Sequence, residues 1–237
     1  MEESGAQATF ELVPLRADLK PAWFTEKVNP LGKVRPPLLN HISEHFLKLH
    51  VQIPALAYGA QSSPDQPSET SVKINESLII VEFLADLYPE AKLIPADPVT
   101  RAKARVFASL TDTMLFPAIR ECFITGKADV DSIFKALDHL QPLIPDEAPF
   151  VVGDDFTIAD IAAAPHFCRL MTFMENDLGK FEQGTGLKML EVYNGPKYRK
   201  IREYGTRLLE RESVKKTFAG VCHNLYLRSS NFLLSLL

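Results

Sequence analysis

The chain has 237 residues, 46% of them hydrophobic, with 26 Lys and Arg against 30 Asp and Glu for a net charge of −4. That length holds one large domain or two modest ones with a real core, and the absence of a basic block argues against a nucleic-acid partner. The apolar runs are too short to span a bilayer, no secretory h-region follows Met1, and Cys122, Cys168 and Cys222 lie far apart without metal-ligand spacing, which reads as buried thiols in a reducing cytoplasm.

In chain order, Thr9-Phe-Glu-Leu-Val13 alternates as a half-buried strand does, and a short helix follows from Pro21, at its first turn, to Val28 before Asn29-Pro30 stops it. Residues 53–58 read as a strand entered through Pro54, residues 59–70 as a loop rich in Ser, Pro and Gln, and residues 71–73 as a short last strand. Glu76 and Ser77 open a helix whose Leu78, Val81, Leu84, Ala85 and Tyr88 recur at helical spacing, predicting a buried face. Pro89, Pro95 and Pro98 mark a linker. Beyond it the pattern predicts helices only, over 99–125, 130–143, 158–175 and 196–211. Phe156-Thr-Ile-Ala-Asp160-Ile161 reads as a capping box between Thr157 and Asp160, stapled by Phe156 and Ile161, with a structural role worth roughly 1 kcal/mol. The apolar tail 231–237 reads as a docked or frayed end rather than a membrane anchor.

The chemistry concentrates around Pro54 and the Glu76-Ser77 pair. Proline has no backbone N–H, and a cis bond at Pro54 would turn the Ile53 N–H and C=O outward toward an extended ligand backbone. The helix N-terminus at Ser77 favours a carboxylate, while Glu76 can face an ammonium group. A peptide with a free α-amino acid end fits that combination; an ordinary helix start is the alternative for Glu76-Ser77 taken alone.

The run from Leu19-Lys-Pro-Ala-Trp-Phe24 through Asn29-Pro30, Ile53-Pro54 and Glu76-Ser77 to Leu87-Tyr-Pro89 resembles cytosolic glutathione transferases, and the fungal omega-like group most. Pro64-Asp-Gln-Pro67, Asp97-Pro98-Val99 with Arg101-Ala-Lys-Ala-Arg105, and Asn176-Asp-Leu-Gly-Lys-Phe181 are similar to that group too, so the resemblance spans nearly the whole chain. It implies an α/β thioredoxin-like N-terminal domain over 1–89, a linker over 90–98 and an all-α helical C-terminal domain over 99–237. It also implies glutathione as co-substrate, with no permanently bound cofactor and no metal: Glu76 and Ser77 would hold the γ-glutamyl end, Ile53 beside Pro54 would pair with the cysteinyl backbone, and Lys20 would meet the glycine carboxylate. A small hydrophobic or electrophilic second substrate and a homodimer in the cytoplasm follow from the same resemblance.

Two departures qualify it. The family's first strand and most of its first helix, with the residue that handles the glutathione sulfur, have no counterpart ahead of Thr9, so the thioredoxin-like domain is expected to be incomplete and the catalytic residue absent from this chain. In the family a cysteine there supports thiol transfer or deglutathionylation, and a serine or tyrosine supports conjugation; neither branch is selected, and a non-catalytic module that binds glutathione or hydrophobic ligands stands as the alternative to an enzyme. The second departure is an insert over 34–52, whose removal restores Pro-Leu-Gly-Lys-Ile-Pro-Ala-Leu. Every Val34 codon starts GT and one Gln52 codon is CAG, so the segment reads as a retained intron. The rival is a genuine insertion, in which Leu39, Ile42, Phe46 and Leu49 form an amphipathic helix and His41 and His45 are a surface pair rather than a metal site.

Overall fold

A computed structural model describes residues 54–59 and 68–218. The expected Thr9 strand, Pro21 helix, 34–52 insert with His41 and His45, and apolar tail lie outside the described residues. Strands β1 (Ala55–Tyr58) and β2 (Val72–Asn75) pair antiparallel, with Ala55 opposite Asn75 and Tyr58 opposite Val72. The second strand thus starts one residue after the expected stretch and runs two residues further, to the edge of Glu76. Helix α1 (Ser77–Leu87) packs on both strands, and Tyr58 meets Phe83 edge-on at 5.1 Å. Of the face predicted to be buried, Ala85 is fully so and Leu78, Val81, Leu84 and Tyr88 are half-buried.

The linker is docked rather than loose. Leu93 is buried, and its carbonyl accepts from the Ile158 N–H at 3.0 Å. Helix α2 (Pro98–Leu110) starts with proline at its first position and is capped by Asp97, whose carboxylate accepts from the Thr100 N–H at 2.8 Å. Arg105 on α2 bridges bidentately to Glu82 on α1 at 2.8 and 2.7 Å. The helix continues through a π-helical stretch (Thr111–Leu115), one α-helical segment (Phe116–Ile119) and a second π stretch (Arg120–Thr125), ending at Gly126 with φ 68°. Pro117 lies between the two π stretches; a proline there cannot donate to the carbonyl four residues back and crowds it, and wider turns accommodate that.

Helices α3 (Asp131–Leu140), α4 (Ile158–Glu175), α5 (Thr185–Asn194) and α6 (Arg199–Glu210) follow with short 3₁₀ turns, and residues 212–218 are helical as well. The spans expected at 130–143, 158–175 and 196–211 match, counting the turns Gln141–Leu143 and Pro196–Tyr198. Helix α5 was not expected. It begins among Gly184, Thr185 and Gly186 without a local side-chain cap; the Asp177 carboxylate supplies one from the preceding loop, accepting from the Gly184 N–H at 2.5 Å and the Gly186 N–H at 2.7 Å. Among the described residues no helix is long and apolar enough to cross a membrane.

Helix α4 is the axis of the helical region, packing against α1, α2, α5 and α6. Its Ala159, Ala162, Ala163 and Ala164 are buried and let those neighbours approach closely. Where α6 crosses it, Gly205 sits so near Phe167 that a β-carbon would lie 2.8 Å from the ring. The expected capping box at Thr157 is present, and Asp160 does more than cap. Its carboxylate accepts from the Thr157 N–H at 2.9 Å, the Thr157 hydroxyl at 3.1 Å, the Val151 N–H at 3.3 Å and the Tyr204 hydroxyl of α6 at 2.9 Å. Asp160 and Tyr204 are both fully buried. Burial pushes the Asp160 carboxyl above its ordinary range while the donors pull the other way.

This network predicts a cost larger than the roughly 1 kcal/mol of an exposed cap. Asp160→Ala strands several buried donors at once and is expected to cost about 3–5 kcal/mol in denaturant unfolding, with Tyr204→Phe nearer 1–2 kcal/mol. A loss of 1 kcal/mol or less for Asp160→Ala would show that the network adds nothing to the cap.

Candidate functional site

The hairpin register brings three of the sequence-predicted site residues to one end of the sheet. Ala55 faces Asn75, so Pro54 and Glu76 come next in line, and Ser77 follows as the first residue of α1. Pro54, Glu76 and Ser77 are all exposed. Lys20 and Ile53 lie outside the described residues.

Glu76 has φ 71° and ψ 119°, a backbone conformation that residues with a β-carbon rarely adopt. Such a state costs of order 1–3 kcal/mol and persists only where its surroundings impose it. Here the imposition is visible on both sides: the residue before it is locked into the β-ladder, and its carbonyl already accepts the first helical bond, from the Ile80 N–H at 2.9 Å. The Glu76 side chain makes no capping hydrogen bond, so the first turn of α1 is left with its N–H groups uncapped by the preceding side chain. No acidic residue lies in that turn. Beside it, Asn75 Oδ1 is buried without a hydrogen-bond partner. One exposed carboxylate, one hydroxyl and an uncapped positive helix end thus share a few ångströms of surface, an arrangement suited to a zwitterionic α-amino acid group.

A second cluster, not foreseen from the sequence, lies on α4 and the interrupted part of the α2 helix. His166 is 9% exposed, packs on Phe116 with ring centroids 5.2 Å apart, and has Nδ1 buried and unpartnered. Burial, with the Arg169 guanidinium nearby, holds its pKa down to about 3. Arg169 is half-buried, its charge is disfavoured by burial, and its hydrogen bond runs to the Pro165 carbonyl at 3.4 Å. The spacing His166-x-x-Arg169 on an otherwise alanine-rich helix was the available signal, because residues three apart share a helix face. Cys122 and Cys168 are both buried, and burial pushes the Cys122 thiol up to about 11. No metal-holding group of His, Cys, Asp and Glu occurs among the described residues.

A hairpin thus leads into a helix with a strained residue at its start, and a helical region centred on a capped, alanine-rich helix follows. No family model matches the chain, but individual proteins do. Glutathione transferase Omega 1C from Trametes versicolor superposes with a TM-score of 0.79 at 36% identity, over 96% of this chain and 87% of that one. Omega 2S from the same fungus, solved in complex with 2,4-dihydroxybenzophenone, gives 0.78 at 34%, over 97% and 90%. A probable glutathione S-transferase of Nicotiana tabacum is 31% identical over 136 residues, 55% of this chain and 56% of that protein. Mouse glutathione S-transferase omega-1 is 28% identical over 166 residues, 68% and 56% respectively. The chain spans about half the length of the curated relatives it matches. It belongs to the cytosolic glutathione transferase family and is of the omega-like type.

The buried histidine gives a pH prediction with a definite sign. Its folded pKa, about 3, lies below the ordinary value of 6.5, so the native state holds it neutral. The contribution is fully present above pH 6.5 and is lost as pH falls from 6.5 toward 3, by about 1.4 kcal/mol per pH unit for one proton. Urea unfolding across that window is expected to show a shallower acid loss for His166→Phe than for the unaltered chain; identical slopes would refute it.

Proposed function

We propose that the chain is a glutathione-dependent transferase, with glutathione as co-substrate for conjugating electrophiles or for thiol transfer and deglutathionylation. The single observation that carries this reading is Glu76, kept at φ 71° ahead of an uncapped helix end whose first residue is Ser77. In this reading Ser77 and the α1 N–H groups bind the γ-glutamyl carboxylate, and the Glu76 carboxylate binds its ammonium group. The Asn75 amide next to them, with a buried unpartnered oxygen, is held ready for a further hydrogen bond. Pro54 and Ile53 present backbone to the cysteinyl unit, and Lys20 meets the glycine carboxylate. Cys122 and Cys168 are both buried, and burial raises the Cys122 thiol, so in this reading neither handles the glutathione sulfur.

The second substrate is a small hydrophobic or electrophilic molecule, in keeping with the benzophenone held by the Trametes Omega 2S relative. The setting is the reducing cytoplasm, in detoxification or redox repair. A homodimer is part of the proposal: Val99 and Val106 on α2, seven residues apart, are 63% and 52% exposed, and apolar side chains so placed are suited to an isologous contact.

Calorimetry with reduced glutathione tests the binding role. Glu76→Ala and Ser77→Ala are each expected to weaken binding by about 10- to 100-fold, the range of a charged hydrogen bond. Glu76→Gly is expected to weaken binding equally while holding or raising thermal stability, because glycine adopts a positive φ at less cost than a residue with a β-carbon. Undiminished affinity in both alanine variants would overturn the assignment. Turnover of an electrophile or a mixed disulfide supports the enzyme; binding with no turnover in either assay supports a non-catalytic glutathione-binding module. Light scattering is expected to give twice the chain mass, reduced toward the monomer in Val106→Glu.

A further inference from the structure

We propose that Arg169, with the His166–Phe116 ring pair beside it, holds the anionic oxygen of an aromatic second substrate, so that the protein selects ring compounds bearing a carboxylate or ionised phenol over their neutral counterparts. The inference rests on the glutathione-transferase reading and names the substrate class within it.

The starting point is a charge without a counter-charge among the described residues. Half-buried and buried guanidinium groups in folded proteins are paired, because taking a cation out of water without compensation is expensive. The exposed arginines here follow that habit: Arg105 pairs with Glu82, and Arg199 with Glu203. Arg202 is satisfied by the Tyr193 and Gly195 carbonyls, each at 3.1 Å. Arg169 is less exposed than Arg105 or Arg199, yet no described carboxylate lies within ion-pair distance of it. Its acceptor is one helix carbonyl at the long distance of 3.4 Å, from Pro165 in its own helix. Most of the hydrogen-bonding capacity of this planar fork is therefore unused among the described residues, and its geometry matches a carboxylate or phenolate.

What stands beside the charge is aromatic. His166 lies one turn back on the same face of α4, close enough for the guanidinium to disfavour its protonation. Its ring packs on Phe116, which is 36% exposed although it is a large hydrophobic side chain. His166 Nδ1 is buried and unpartnered, so a polar atom is held against the ring pair without a bond inside the protein. Phe116 sits between the two π-helical stretches, a backbone form found disproportionately at functional sites. One turn further, Arg120 keeps its Nε buried and unpartnered while its other end reaches Glu121 at 3.1 Å. The α4 helix that carries His166 and Arg169 also packs against α1, which begins at Ser77. An aromatic anion would stack on the exposed Phe116 edge, place its charged oxygen on Arg169 and offer a second polar atom to His166.

The test uses the full chain and two probes of nearly equal shape, 1-naphthoate and 1-naphthamide, titrated calorimetrically with and without reduced glutathione. Naphthoate is expected to bind about tenfold more tightly than naphthamide. Arg169→Gln is expected to reduce that preference to about twofold or less, and Arg169→Lys to retain part of it, with thermal unfolding checking that each variant folds. Equal affinity of the unaltered chain for the two probes overturns the proposal whatever the variants do, and so does a preference that survives in folded Arg169→Gln. Glutathione affinity is read in the same titrations. Its absence with the naphthoate preference intact would overturn the glutathione reading and leave the anion site standing.

Discussion

The buried Asp160 carboxylate is the constraint on which the helical region depends. It receives two donors from Thr157, one from the Val151 backbone and one from the Tyr204 hydroxyl, and so joins the start of α4, the loop before it and the middle of α6 at one pair of oxygens. A carboxylate with that many donors is directional in a way that the surrounding apolar core is not. Burial of Phe107, Phe167 and Leu208 would tolerate a small slide of α6 along α4, but the Tyr204 bond fixes the axial position, and the absent β-carbon of Gly205 lets the helices meet there. Tyr204 also lies edge-on to Phe107 and Phe167, at 5.8 and 5.7 Å, so the polar contact and the ring packing specify the same registry.

What was legible in the sequence follows from how local its causes are. The Thr157–Asp160 box and the helices expected over 130–143, 158–175 and 196–211 are written in residues within a turn of one another, and each appears where its pattern predicts. Glu76 and Ser77 were legible as a pair because a short strand ran directly into an amphipathic helix; the positive φ at Glu76 was not, since no residue type there announces it. Helix α5 was invisible for a clear reason. Its cap comes from Asp177, seven and nine residues ahead of the N–H groups it serves, across a turn in which Asp177 itself has φ 50°. The Asp160–Tyr204 bond spans 44 residues and was equally out of reach. So a motif that read as an ordinary cap is the centre of a tertiary network.

The two clusters differ in how their cost is carried, and the difference bears on function. At Glu76 the cost is conformational: an unfavourable backbone state enforced by a β-ladder on one side and a helical hydrogen bond on the other. At Arg169 the cost is electrostatic: a partly desolvated cation with a single weak acceptor. Both sit on elements tied to their neighbours, α1 by the Arg105–Glu82 pair and α4 by Asp160. A folded chain retains such unfavourable features most readily when a ligand relieves them, because binding energy then becomes larger by the amount already paid in the empty state. On that argument the scaffold supports both clusters: α4 is fixed at its first turn by Asp160, and two to three turns on it carries a guanidinium that has no ion-pair partner among the described residues.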